Sequence, residues 1–188
     1  MLELKSAHKR LTTRNLPLAE ESIQTVQQIL HRIEAEIKRI VYDLRPPTLD
    51  ALGLAPALRR YTERFERYTG LPCSLQILGE PARLTPKVEI CIYRLMQEAL
   101  QNISAHADAT QSSLMAVFAP QIFKLTIIDD GCGFDLQAVL QHDTEHLGLL
   151  SMMERAERLG GRLTIHTQPG HGTCVELLVP IKREMLLE

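Results

Sequence analysis

Apolar positions in the first quarter of the chain recur at helical spacing. Ile23, Val26, Leu30, Ile33, Ile37, Ile40 and Leu44 stand alternately three and four residues apart. That is a heptad seam, with Glu, Lys, Arg and Gln filling the other faces. Leu4, Ala7 and Leu11 form a shorter strip that ends near Asn15-Leu16-Pro17. Strips this narrow bury little alone, so the two helices are expected to pair as an antiparallel hairpin. Two such hairpins would make a dimeric four-helix bundle. Arg45-Pro46-Pro47 ends the long helix, because the first proline turns Arg45 away from helical angles. The expected division is a partial dimerisation hairpin over residues 1–48 and a second domain over 49–188.

In the second domain the period changes repeatedly. A helix is expected over residues 55–69, with Leu58, Tyr61, Phe65 and Tyr68 on one face and Gly70 as its stop. Cys73, Leu75 and Ile77 alternate with outward residues, as in a strand. Thr85-Pro86 reads as a helix start, a capping hydroxyl before a proline at the first helical position. That helix runs to about His106, with Val88, Cys91, Ile92, Leu95, Ala99 and Ile103 as its core face. Strands are expected over 113–118 and 123–128, then a glycine-containing loop, and a helix over 149–159 stopped by Gly160-Gly161. A last hairpin pairs 162–167 with 173–179 across Pro169-Gly170-His171-Gly172. Helices mixed with largely antiparallel strands give an α+β fold, a sheet covered on one face by helices.

Composition narrows the function classes. Hydrophobic residues make up 45% of the chain but Trp is absent, so the core must rest on aliphatic side chains and Met. A net charge of −2 leaves no electrostatic footprint for nucleic acid or an anionic membrane. Cys73, Cys91, Cys132 and Cys174 are scattered, without the spacing of a zinc site or a redox pair, which suits a reducing compartment. No apolar run approaches the roughly 20 residues that cross a bilayer. The expectation is a soluble, cytoplasmic chain. Met1 falls inside a helical pattern, so the chain is also expected to be a fragment of a longer protein.

Two groups of residues carry candidate chemistry. Glu98, Asn102 and His106, four apart, draw a polar stripe beside the core face of their helix. An Asn oxygen suits Mg²⁺, which keeps most of its waters and takes one or two protein oxygens plus phosphates. A Glu one turn away can position a proton during phosphoryl transfer. Alone, the stripe reads more readily as solvated surface. The second group, Asp129-Asp130-Gly131-Cys132-Gly133-Phe134, follows the apolar strand end Leu125-Thr126-Ile127-Ile128. Glycines there let backbone approach a flat ligand, and a buried carboxylate can accept a hydrogen bond from a purine amine. A tight turn between strands is the alternative. No dinucleotide fingerprint, P-loop or eukaryotic-type kinase set is present.

The order of four segments is what these groups share with a known family. Gln97-Glu98-Ala99-Leu100-Gln101-Asn102-Ile103, Asp129-Asp130-Gly131-Cys132-Gly133-Phe134-Asp135, Leu147-Gly148-Leu149-Leu150-Ser151-Met152-Met153-Glu154-Arg155-Ala156 and Gly170-His171-Gly172-Thr173 resemble the nucleotide boxes of histidine-kinase ATPase domains. Tyr42-Asp43-Leu44-Arg45-Pro46-Pro47-Thr48-Leu49-Asp50-Ala51-Leu52-Gly53-Leu54 resembles the junction of the nitrate-sensor-like sensor kinases. The resemblance implies a Bergerat-type α/β sandwich that binds ATP with Mg²⁺. It implies that Asn102 coordinates the Mg²⁺ with Glu98 beside it, that Glu98 assists the acceptor imidazole, and that His106 lines the same stripe. Asp129 would bind the adenine amine, Gly131 and Gly133 shape the pocket, Gly148 and Leu149 pack on phosphate, and Thr173 add a hydroxyl. Residues 136–146 would be a lid. The implied partners are a second copy through the N-terminal helices and a response regulator, expected to have a helix-turn-helix output domain. Membrane attachment would lie only in regions outside this chain, and no direct nucleic-acid binding is expected.

Departures from the pattern are local. Ala105 stands where the family often has Lys, and His146 and Ser151 replace glycines of the third box. His8 and His31 lack the acidic neighbour expected of the phosphoacceptor, so the acceptor histidine is expected upstream of this chain. Two competing readings share the ATPase fold: an anti-sigma-factor-like serine kinase and a non-kinase ATP-gated conformational module. The heptad seam and proline junction disfavour the first. The second would need downstream domains to move, and the chain ends just after its last expected strand.

Overall fold

The computed structural model describes residues 46–141 and 147–187. The heptad seam, His8, His31, Arg45 and His146 lie outside the described residues. The described residues belong to one compact unit, Pro46–Glu188.

A short helix, α1 (Pro47–Leu52), opens the described chain and sinks Leu49 completely into the core. Gly53 joins it to α2 (Leu54–Thr69), which buries Leu54, Leu58, Thr62 and Phe65. Tyr68, expected on that face, is 83% exposed. At 100° per residue it has drifted about 80° from the line of Leu58, while Thr62 falls closer to it. Gly70, with a left-handed φ of 72°, ends the helix by donating its N–H to the Glu66 carbonyl.

Five strands form one sheet among the described residues: β1 (Cys73–Gly79), β2 (Ser112–Ala119), β3 (Ile122–Asp129), β4 (Arg162–Thr167) and β5 (Thr173–Pro180), in the order β1-β2-β3-β5-β4. β1 and β2 are parallel and the other neighbours antiparallel. A parallel pair needs a crossover, and α3 (Pro86–Asn102) supplies it. α4 (Leu136–Gln141) and α5 (Leu147–Arg158) follow the third strand, and a 3₁₀ turn, Arg183–Met185, follows the last. The expected α+β class and helix-covered sheet are observed.

Alternate residues of β2 and β3 point into the helices. Leu114, Ala116 and Phe118 are buried, as are Phe123, Leu125 and Ile127. α3 meets them with Val88, Ile92, Leu95, Met96 and Ala99, and Ile103 just past its end is buried with them.

The start of α3 differs from the expectation in its chemistry. Thr85 is the N-cap, but its hydroxyl makes no capping bond. Its carbonyl accepts the Val88 and Glu89 N–H groups, and its own N–H is donated to the Met185 carbonyl. The carboxylate at work is Glu89, fully buried, which accepts the Leu84 N–H at 3.3 Å and pairs with Arg83 at 3.3 Å.

Candidate nucleotide site

Strand parity decides which of two adjacent carboxylates enters the interior. Asp129 continues the buried row Phe123, Leu125, Ile127, so it stays on the helix-covered face and is only 6% exposed. Register then sets Ser112 of β2 and Thr173 of β5 on either side of it, and Thr167 of β4 beyond Thr173. The end row of the sheet is therefore polar, directly against an aliphatic row of Leu114, Ile127, Val175 and Ile165. Such a floor suits a flat ring with a polar edge. The Gly131 N–H is donated to Asp129 Oδ1 at 2.9 Å. Burial pushes the Asp129 carboxyl up, the Gly131 and Thr173 N–H groups oppose that, and the Asp130 charge adds to it.

Asp130, one residue on, faces outward and is a structural clamp. Its carboxylate accepts the Thr110 N–H at 2.8 Å, the Thr110 hydroxyl at 2.5 Å and the Gln111 N–H at 3.0 Å. Those donors, the Thr110 hydroxyl first, hold its carboxyl down to about 2.

The glycines of the loop have no room for side chains. A Cβ on Gly131 would overlap the Ala107 carbonyl, and one on Gly133, whose φ is 58°, would overlap the Gln168 carbonyl. The Cys132 N–H is donated to the Ala107 carbonyl at 2.7 Å, and the Cys132 carbonyl accepts the Gly170 N–H at 2.5 Å. The loop is thus tied on one side to the end of α3 and on the other to the hairpin between β4 and β5.

α3 itself does not run regularly to His106, as the periodicity predicts. Regular helix stops at Asn102, and Ile103–Ala107 form a wider π turn closed by Asp108 in the left-handed region. Such turns re-aim side chains at a helix end. Glu98 and Asn102, one turn apart, are half buried, and His106 is exposed on the π turn. The Glu98 carboxylate lies against Gly148 in the first turn of α5, where a Cβ would overlap it. Leu149 next to it is half buried against the core. The structure therefore gathers Glu98 and Asn102 on one helix, with Gly148 against Glu98. It joins Asp129, Gly131, Gly133 and Thr173 around the end of the sheet. It leaves the His106 side chain exposed on the π turn, with the His106 carbonyl accepting from Cys132 Sγ at 3.4 Å.

The donors fit Mg²⁺ held jointly with phosphate. One carboxamide and one carboxylate on successive turns make an incomplete shell, and no cluster of three or more His, Cys, Asp or Glu among the described residues forms a cage.

Some contributors escape sequence reasoning. Thr167 accepts the Phe134 N–H at 3.0 Å and lies 3.2 Å from the Thr173 hydroxyl, bracing the loop from β4. A threonine at a strand end before Pro-Gly gives only a weak signal. α4 occupies the first half of the expected lid, starting with Asp135 Oδ1 accepting the Gln137 and Ala138 N–H groups at 2.9 and 3.1 Å. Asp followed by a short apolar run was the missed signal.

Residues 87–183 match the family described as histidine kinase-, DNA gyrase B-, and HSP90-like ATPase. The chain is 37% identical over 166 residues to a signal transduction histidine-protein kinase/phosphatase DegS of Brevibacillus brevis, covering 88% of this chain and 42% of that one. It is 36% identical over 140 residues to the DegS of Bacillus subtilis, covering 73% of this chain and 36% of that one. The chain thus spans about two fifths of the length of these relatives. Among solved structures, the ATP-binding domain of PrrB from Mycobacterium tuberculosis matches with a TM-score of 0.52 at 24% identity, over 67% of this chain and 92% of that one. The histidine kinase domain of a blue-light activated kinase from Erythrobacter litoralis matches with a TM-score of 0.55 at 20% identity, over 68% and 60%. These two likenesses speak for the fold.

Proposed function

Because the chain belongs to the histidine kinase-, DNA gyrase B-, and HSP90-like ATPase family and carries the ATPase domain of a sensor histidine kinase, we propose that it transfers the ATP γ-phosphoryl group to a histidine of its own longer protein. From there the group passes to an aspartate of a response regulator, one with a helix-turn-helix output domain. The observation that carries this reading is Asp129, an inward carboxylate in a polar row at the end of the sheet, with Gly131 and Thr173 N–H groups on it. Asp129 accepts the adenine amine, Gly131 and Gly133 allow the ring to lie close, and Thr173 adds its hydroxyl. Gly148 and Leu149 present the first turn of α5 to the phosphates, where free N–H groups favour anions.

Asn102 and Glu98 would hold Mg²⁺, which supplies charge neutralisation across the phosphates. His106 follows on the adjoining π turn. The acceptor ring nitrogen directs its lone pair at the γ-phosphorus. The N–P bond forms as the bond to the bridging oxygen breaks, and ADP leaves with that electron pair. Glu98 takes the proton from the other ring nitrogen. The junction from Tyr42 to Leu54 supports the nitrate-sensor-like subfamily over a serine kinase or an ATP-gated module. The heptad seam supports dimerisation through the N-terminal helices. No described helix is long and apolar enough to cross a membrane. We place the domain in the cytoplasm because its scattered cysteines suit a reducing compartment.

The test is to extend the chain upstream by about 25 residues, roughly seven helical turns, and to follow label from γ-labelled ATP. Acid-labile phosphate on a histidine is expected, and acid-stable label on serine would overturn the reading.

A further inference from the structure

Three parts of the described chain meet at Arg83, which nucleotide binding does not use. Its backbone is held by the tail: the Arg83 carbonyl accepts the Leu187 N–H at 3.0 Å, and Leu84 and Leu186 pair as an antiparallel bridge. Its guanidinium then spans two helices. Nη2 donates to the Asp50 carbonyl of α1 at 3.2 Å, and Nε lies 3.3 Å from Glu89 Oε1 in the first turn of α3. A carbonyl near a helix C-terminus suits a cationic donor. Glu89 is fully buried and also accepts the Leu84 N–H at 3.3 Å. The stem of Arg83 lies against the joint between α1 and α2, where a Cβ on Gly53 would stand 2.8 Å from Arg83 Cδ. α1 follows Arg45-Pro46-Pro47 directly, so the covalent chain from the heptad seam enters the unit Pro46–Glu188 there. Nucleotide binding is assigned to the other end of α3, with Glu98 and Asn102 about 14 and 20 Å beyond Glu89 along one helix.

We propose that Arg83 is a clip that couples α1 to the phosphate-binding end of α3. α1 holds the guanidinium, the guanidinium holds Glu89, and the helix carries the restraint to Glu98 and Asn102. A planar fork with donors on separate edges serves two acceptors at once, which a single ammonium does not do in the same geometry. A regular helix is a rigid element, so a change of seating at one end reaches the other. Coupling between sites is reciprocal: nucleotide held by α3 steadies α1 as much as α1 steadies the nucleotide. The inference rests on the reading of Glu98 and Asn102 given above.

Amide hydrogen exchange on the 188-residue chain tests it, with Mg²⁺ and a non-hydrolysable ATP analogue as the probe. The amides to follow are those of Leu49 and Gly53, which are donated to the Pro46 and Leu49 carbonyls. The analogue is added to saturation on each protein's own measured Kd. In the parent protein it is expected to slow exchange at both amides about fivefold, the lower range of coupling between sites. In Arg83→Lys, which keeps a cation for Glu89 but loses the fork, the slowing should fall below about 1.5-fold. Slowing in Arg83→Lys as large as the parent's overturns the inference, and so does no slowing in a saturated parent. If the parent does not bind the analogue at all, the reading of the nucleotide site itself fails, and that result is distinct from either. Arg83→Ala should lose the response too and melt at a lower temperature, because the buried Glu89 is deprived of that guanidinium. A merely structural Arg83 would lower the melting temperature and leave the nucleotide-dependent slowing at α1 in place.

Discussion

The two ends of the candidate nucleotide site are built in opposite ways. Around Asp129, backbone groups from three parts of the chain close on one another: the Ala107 carbonyl, the Cys132 peptide and the Gly170 N–H. Glycines fill every place where a side chain would intrude. Around Glu98 and Asn102, the working groups are long side chains on one face of α3, half open to solvent. No described residue accepts from or donates to the Asn102 carboxamide. On the proposed assignment, the ring-binding end would be complete before ligand arrives, while the phosphate end would take its remaining partners from the nucleotide. Backbone geometry would then confer selectivity at the first, and side-chain orientation rate at the second.

Substitutions at the two ends should therefore fail differently. Glu98→Ala is expected to reduce histidine phosphorylation by on the order of 10²–10⁴-fold. ATP affinity, measured by calorimetry, should stay within about threefold; a parallel collapse of affinity would erase the distinction between the ends. Asp129→Asn should do the reverse and weaken ATP binding by about 100-fold, about 2.7 kcal/mol, because the carboxamide offers a donor toward the adenine amine. The ligand-free protein should melt no lower. The folded-state pKa of Asp129 is raised, so its contribution to stability is present at low pH and lost as pH rises, and removing the charge at neutral pH relieves that burden.

Gly131→Ala should cost about tenfold in ATP affinity, since the loop must withdraw from the Ala107 carbonyl. An unchanged dissociation constant would show that the ring-binding end is more pliant than its hydrogen bonds indicate. Asp130→Ala should lower the melting temperature with ATP affinity changed less than Asp129→Asn changes it. The folded-state value of Asp130 is depressed to about 2, so its stability is present above the ordinary aspartate range and lost as pH falls toward 2. Melting curves of the two proteins should converge over that range. His106→Ala, exposed on the π turn, should change Mg²⁺-ATP affinity by only about twofold, measured by the same titration.

The same contrast governs how much the sequence disclosed. Alternation placed β2 and β3 within a residue of their observed ends, because one face of each is buried against helices and the period is 2. Asp129 was legible for the same reason, as the last inward position of an apolar row. Its neighbour looked equivalent in the sequence, and only the proximity of Thr110 and Gln111, brought in from the end of α3, gives Asp130 its separate task. The π turn was illegible, since Ile103 still falls on the core face and hides the change of pitch. Thr85 shows the limit of capping rules: a hydroxyl stood in the right place, but the Thr85 carbonyl takes the Val88 and Glu89 N–H groups, while Met185 and Glu89 accept the N–H groups of Thr85 and Leu84 just before the helix. For Asp130 the decisive partners come from far along the chain, and local pattern does not encode them.

The parallel pairing of β1 with β2 has a consequence for how the protein comes into being. Those strands adjoin only because α3 crosses between them, so the sheet gains its β1 edge as the helix bearing Glu98 and Asn102 is laid across it. Closing a loop of that length is slow relative to hairpin formation. The β4–β5 hairpin and the β2–β3 pair, both local, are thus expected to gather first. Thr173 meets Asp129 only when that hairpin pairs with β3, across an interval as long as the β1–β2 crossover, so both ends of the candidate nucleotide site would be acquired in the late closures that seal the core.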